Sequence, residues 1–218
     1  VVNTNPLVSV IMPAYNAEAY IKDAIQSVLD QSYAHLELII TNDGSRDGTL
    51  SIIHSFSDER IVLIDQENQG VSAARNAALK RMSGELFCFL DADDLLPQDS
   101  LSSRVEVFQR DENIFFVDGT VEVFDKNMHE LQWKWQPEVR GKVKPLLIGL
   151  DSRCFFGPSW MIRRKQGHEY GFLNGLTHGE DLLFYISIAD HGLYDFVQAP
   201  ILNYRSGNMS AMSNLQGL

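Results

Sequence analysis

Four short apolar runs, at residues 8–12, 36–40, 61–64 and 86–90, alternate with segments whose apolar residues recur at helical spacing. Runs this short, bounded by polar turns, read as buried strands rather than helices. The segment 18–30 places Ala19, Ile21, Ala24, Ile25, Val28 and Leu29 on one helical face. Residues 47–56, with Asp47 as N-cap, and 70–82 read as further helices. Pro13 stops the first strand, and the turn Asn42-Asp43-Gly44-Ser45 ends the second. Strands alternating with helices of this length imply right-handed βαβ crossovers and a parallel sheet. In such a sheet the loops after the strands emerge on one side, where ligands bind.

The second half is less regular. Residues 98–110 read as a helix, and 114–118 and 120–124 as strands, edge or antiparallel. An amphipathic helix follows at 179–191, then strands at 193–197 and 201–204. Trp133 and Trp135 alternate and so point the same way if extended, either as sheet-face packing or as a stacking surface for a sugar. No shift in composition marks a boundary, so residues 1–218 read as one α/β domain.

Composition narrows the partners. Hydrophobic residues make up 44% and charged residues 22%, ordinary for a globular protein with a full core. A formal net charge of -11 argues against a nucleic-acid partner, which needs clustered Lys and Arg. Cys88 and Cys154 form no disulfide framework; Cys88, inside the fourth apolar run, reads as core, and Cys154 has no evident role. No signal peptide is evident, and no apolar run approaches the length of a membrane span. The expected compartment is cytoplasmic, although an excised domain of a membrane-associated protein would read the same way.

Each loop after an early strand carries unusual chemistry. Asp91-Ala92-Asp93-Asp94 closes the fourth strand with three crowded carboxylates, tolerable if solvated, partly protonated or bridged by a cation. Oxygen-only ligands suit Mg²⁺ or Mn²⁺, which is typically held by one or two carboxylates together with substrate phosphates. A solvated acidic turn is the plainer alternative. Tyr15 offers an aromatic face to a nucleobase, Asp43 a carboxylate acceptor for a ring N–H, and Arg75 a partner for a diphosphate.

Taken in order, Pro13-Ala14-Tyr15-Asn16, Asn42-Asp43-Gly44-Ser45-Arg46-Asp47-Gly48, Asn68-Gln69-Gly70 through Ala74-Arg75-Asn76, and Asp91-Ala92-Asp93-Asp94 resemble the family 2 glycosyltransferases of the GT-A fold. The resemblance resumes at Gly179-Glu180-Asp181-Leu182-Leu183-Phe184 and at Tyr204-Arg205 and Ser210. It implies a doubly wound, mostly parallel central sheet with helices on both faces and a small antiparallel or irregular C-terminal part. It also implies a nucleotide-sugar half at 1–95 and an acceptor half at 96–218. By resemblance, Pro13, Tyr15, Asp43, Arg75 and Asp91 bind the nucleotide. Asp93, with Asp91, holds Mn²⁺ or Mg²⁺, and Asp181 is the general base. Glu180 and Arg205 contact the acceptor or belong to a flap over the diphosphate.

The implied reaction is inverting transfer of a sugar from a nucleotide-diphosphate donor to an acceptor hydroxyl, without a covalent intermediate. Asp43 alone does not choose among UDP, dTDP and GDP; the resemblance favours UDP. A surface polysaccharide or lipid-linked glycan is the implied acceptor, and a lipid-linked one would bring peripheral contact with the inner face of a membrane.

Other classes fit less well. A sugar nucleotidyltransferase would carry a glycine-rich basic loop after the first strand, and a haloacid-type phosphohydrolase would place its paired Asp there. A non-catalytic nucleotide-sugar module would keep Asp43, Arg75 and Asp93 but could dispense with Asp181. Several candidates have plainer roles. Asp47 is expected as a cap, Asp94 as a second ligand, a cap or a solvated group, and Arg75 as a surface ion pair worth about 0–1 kcal/mol. Asp181 would also suit a helix N-terminus, and His178 has no second His at ligand spacing.

Overall fold

The computed structural model describes residues 5–176 and 178–207; Ser210 lies outside them. Eight strands form one sheet: β1 (Val8–Ala14), β2 (Leu36–Asp43), β3 (Ile61–Gln66), β4 (Leu86–Phe89), β5 (Ile114–Phe124), β6 (Leu131–Trp135), β7 (Met161–Arg163) and β8 (Leu193–Arg205). The order is β3-β2-β1-β4-β7-β5-β6, and β8 also pairs with β5. β1 to β4 are mutually parallel, β7 is antiparallel to β4 and β5, and β6 is antiparallel to β5. The helices are α1 (Ile21–Leu29), α2 (Thr49–His54), α3 (Val71–Arg81), α4 (Ser100–Arg110), α5 (Lys144–Ile148) and α6 (Glu180–Ile188).

Alternation along each strand feeds two cores. Val8, Val10 and Met12 of β1, Leu36, Leu38 and Ile40 of β2, and Leu86 and Cys88 of β4 pack with α1, Ile53 of α2 and α4. Ile11, Ile39, Phe87 and Phe89 point the other way, towards Ala78 and Leu79 of α3, Leu147 of α5 and Phe184, Tyr185 and Ile188 of α6. Strands buried on both faces read as continuous apolar runs, which is why they stand out in the sequence. Helices therefore cover both faces, and the sheet is doubly wound, as expected. Cys88 and Cys154 are both buried, and the Cys154 carbonyl accepts the Trp160 indole N–H at 3.1 Å.

Several expectations need correction. Pro13 does not stop β1: it lies inside the strand, buried, opposite Thr41. β4 has already ended opposite Ile11, so on that side no partner loses a donor. The N-cap of α2 is Gly48, not Asp47. The Asp47 carboxylate caps from one residue earlier, accepting the Thr49 N–H at 3.0 Å and its hydroxyl at 2.6 Å. Segments 114–118 and 120–124 are one strand, β5, and 193–197 and 201–204 are one strand, β8. Of the two alternatives for β5, antiparallel holds towards β6 and β7, but it is not an edge strand, since it lies between β7 and β8 and runs parallel to β8. The three-residue β7 and the five-residue α5 are too short to leave a periodic pattern.

Candidate active site

The loops after β1 and β2 are stitched together. Asn16 N–H donates to Ser45 Oγ at 3.0 Å, Arg46 N–H to Asn16 Oδ1 at 2.8 Å, and Ala17 N–H to Thr49 Oγ1 at 2.8 Å. Glu18 N–H bonds the Asp47 carboxylate at 3.1 Å, and Gly48 N–H bonds the Glu18 carboxylate at 2.9 Å. Beside this seam Tyr15 stays 50% exposed, with its ring available to a ligand. Pro13, by contrast, is buried beneath it.

Asp43 ends β2 and is 2% exposed. Its Oδ1 accepts Gln66 Nε2 at 2.7 Å and the Gln69 N–H at 2.9 Å, and its Oδ2 accepts the Gly70 N–H at 2.8 Å. Gly70 has φ 90° and ψ 164°, a conformation essentially reserved for glycine. The bond to Asp43 thus shapes the turn from which α3 departs at the next residue.

One turn into α3, Arg75 is 2% exposed and joins three acidic residues. Nη2 donates to Asp91 Oδ1 at 2.8 Å, Nη1 donates to Asp181 Oδ1 at 2.6 Å, and Nη1 lies 3.6 Å from Glu180 Oε1. Phe89 and Phe172 face the guanidinium at 5.8 and 5.2 Å, and Phe172 stacks on Phe184 at 4.3 Å. This is no surface ion pair. Removing one partner of a buried pair typically costs about 3–5 kcal/mol.

Burial opposes the Arg75 charge, but Asp181, Asp91 and Glu180 outweigh it and push its pKa up. Burial also pushes Asp181 up to about 6, against the attraction of Arg75 and with help from the charges of Asp91 and Glu180. Asp181 is the second residue of α6, where Gly179 in the left-handed region provides the N-cap.

The Asp91–Asp94 loop is held from behind. Leu95 and Asn203 exchange backbone bonds at 3.1 and 2.9 Å, and the Arg205 N–H donates to Asp94 Oδ1 at 2.8 Å. Arg205 Nε donates to the Asp93 carbonyl and Nη1 to the Lys126 carbonyl, each at 2.7 Å, with the guanidinium over Tyr20 at 4.7 Å. Arg205 is therefore no flap residue; it is buried in β8 as the buttress of the acidic loop. Asp94 is not a solvated group. It is 4% exposed, and its pKa is pushed well up by burial and then by the charges of Asp93 and Asp91.

That surplus of negative charge, with Asp91 and Asp93 more accessible than Asp94, fits a hard divalent cation. Among the described residues no group of three or more His, Cys, Asp or Glu could hold a metal by itself. Two carboxylate residues suit an ion that takes its remaining oxygens from a diphosphate and water. His178 is exposed and joins no such group.

The structure thus brings Arg75, Asp91, Glu180 and Asp181 together from three stretches of sequence, with Asp93 in the same loop as Asp91. Trp133 and Trp135 flank Phe156 at 6.0 and 5.7 Å, and the Trp135 indole bonds the Ser152 carbonyl. Trp133 remains 51% exposed.

A model of the family described as Glycosyl transferase family 2 matches residues 9–170. TuaG of Bacillus subtilis (strain 168), assigned to teichuronic acid biosynthesis, is 45% identical over 97% of this chain and 84% of its own length. WfgD of Escherichia coli, a UDP-Glc:alpha-D-GlcNAc-diphosphoundecaprenol beta-1,3-glucosyltransferase, is 43% identical over 56% of this chain and 48% of its own. Among solved structures, S. aureus TarS 1-349 in complex with UDP-GlcNAc shares the fold with a TM-score of 0.78 at 20% identity, over 95% of this chain and 60% of that one. PcManGT, a mannosyltransferase from Pyrobaculum calidifontis in complex with GDP-Man and Mn²⁺, has a TM-score of 0.66 at 22% identity, also over 60% of its chain.

Proposed function

This chain belongs to glycosyltransferase family 2, and on that premise we propose that it transfers a sugar, with inversion, from a UDP-sugar to an acceptor hydroxyl using Asp181 as general base. The observation that carries this reading is the single guanidinium of Arg75 joining Asp91, in the loop after β4, to Asp181, at the start of α6. The donor loop and a base are thereby held in fixed register.

The acceptor oxygen attacks the anomeric carbon as the bond from that carbon to the diphosphate oxygen breaks. The hydroxyl proton passes to Asp181, and the nucleoside diphosphate leaves with the bonding pair. A carboxylate pushed up to about 6 is largely ionised at neutral pH yet basic enough to accept that proton. Asp91 and Asp93 would hold Mn²⁺ or Mg²⁺, which when bound supplies Lewis-acid stabilisation of the leaving diphosphate. Tyr15 offers its exposed ring to the base, and Asp43 and Gly70 shape the wall beside it. Pro13 acts only from beneath, as strand. On this reading residues 1–95 form the donor half, and 96–218 the acceptor half.

The acceptor we propose is a cell-surface or lipid-linked glycan, on the strength of TuaG and WfgD. Among the described residues no helix is long and apolar enough to cross a membrane. Action on a lipid-linked acceptor would bring peripheral contact at the inner face, and a net charge of -11 gives no electrostatic attraction to anionic lipid.

Thermal unfolding with UDP, dTDP or GDP, each with Mn²⁺ or with EDTA, tests the donor site. Ligand at about 100 times its Kd adds ~2.7 kcal/mol, so UDP with Mn²⁺ should raise Tm by several degrees and UDP with EDTA by much less. Equal shifts with and without Mn²⁺ would remove the metal from the reading. No shift with any nucleotide would favour a module that has lost donor binding.

A further inference from the structure

Asn76 directly follows Arg75 in α3, and its amide bonds both backbone polar groups of one distant residue. Nδ2 donates to the Phe172 carbonyl at 2.9 Å, and the Phe172 N–H donates to Oδ1 at 2.7 Å, across 96 residues of sequence. Nδ2 also reaches Asn174 Oδ1 at 3.3 Å. Between β7 and α6 the described residues contain no helix or strand. The amide thus satisfies backbone groups that a ladder would otherwise pair.

The residue so clasped is one of the two whose rings face Arg75. Phe172 is 5% exposed, stacked on Phe184 and edge-on to Phe89 at 5.3 Å. Arg75 depends on that enclosure, because its buried Nε–H has no hydrogen-bond partner. Its orientation therefore rests on the carboxylates and on the surrounding rings. A guanidinium opened to water would be screened and free to favour one carboxylate over the other.

We infer that Asn76 is a positioning residue for the transfer reaction: by clasping the Phe172 backbone it seats the ring over Arg75, and so keeps Arg75 bridging the donor loop and the base. This inference rests on the transferase reading of the site.

The test is a cycle of Asn76→Ala, Phe172→Leu and the double variant, reading UDP release from UDP-glucose and UDP-GlcNAc with Mn²⁺. Misplacing a catalytic group by about 1 Å can cost ~10²-fold, so Asn76→Ala should lower kcat by about 10–100-fold with the donor KM within about threefold. The double variant should be no slower than Phe172→Leu alone, because once the ring is gone its clasp has nothing left to seat. Multiplicative losses, or an unchanged kcat in Asn76→Ala, would overturn the inference.

Amide hydrogen exchange over residues 170–176 needs no turnover. Faster exchange there in Asn76→Ala, with the strands of the sheet unchanged, supports the clasp, and unchanged exchange overturns it. A wild-type protein that binds UDP but releases none from either donor would count against the transferase reading, while the exchange result still decides the clasp.

Discussion

Asp181 and Arg75 form a pair whose partners need each other in different ways. Arg75 stays charged at any working pH, whereas Asp181, pushed up to about 6, titrates where an enzyme can be assayed. Only the ionised carboxylate can take the acceptor proton, so kcat should rise with pH through about 6 and then level. Asp181→Asn should lower kcat by about 10²–10⁴-fold, the usual worth of general-base catalysis, and leave UDP binding near wild type. A pH–rate profile flat from pH 5 to 8 (roughly the window in which such a group titrates), or a variant with full kcat, would take Asp181 out of the base role. The sequence displays the members of this site but not their connections. Asp91, Arg75 and Asp181 each stand in a recognisable motif, yet nothing in the chain says that one guanidinium joins them. Arg205 misled for the opposite reason: its motif lies near the site, but its side chain faces the rear of the acidic loop. Asn76 sits in a motif with no local hint of a partner 96 residues away.

Among elements, β5 and β8 repay the closest inspection. They pair along almost their whole length with register shifts at Asp118/Thr120 and Thr120/Val121. A Cβ on Gly119 would meet Ile201 Cγ2 at 2.6 Å and Val197 Cγ2 at 2.9 Å, so the close approach of the two strands depends on that glycine. Gly119→Ala should cost about 1–3 kcal/mol by overpacking, measured by urea unfolding; a loss below about 0.5 kcal/mol, the range of ordinary surface changes, would show that the side chains of β8 give way. Gly119 and Pro200 are also why each strand reads as two in the sequence, since both residues ordinarily break a strand pattern. The first half is legible because β1, β2 and β4 are buried on both faces and end in glycine-, Asn- and Asp-rich turns.

At the scale of the whole molecule, stability depends on charges sealed inside it. Asp118 is fully buried, accepting the Gly119 N–H at 2.9 Å and the Tyr194 hydroxyl at 3.1 Å, and burial pushes it up from 3.8 to about 6. A raised carboxylate stabilises the fold fully below the unfolded value and loses that contribution as pH climbs through the folded one. Asp118→Asn, which mimics the protonated form, should therefore gain on the wild type between about pH 4 and pH 7, by up to about 3 kcal/mol; a difference that does not change with pH would show Asp118 to be ionised throughout. The buttressing of the acidic loop by Asn203 and Arg205 has a consequence in time as well as in space. Synthesis runs from the N-terminus, so the carboxylates at 91–94 leave the ribosome more than a hundred residues before the arginine that seats them, given the separation of 112 residues between Asp93 and Arg205. A nascent chain that has reached only β7 can have its parallel strands in place and still lack a settled donor loop. On the proposed reading of the site, competence to hold the nucleotide arrives with the last strand described, so an interrupted translation product is expected not to sequester sugar nucleotide from finished enzyme.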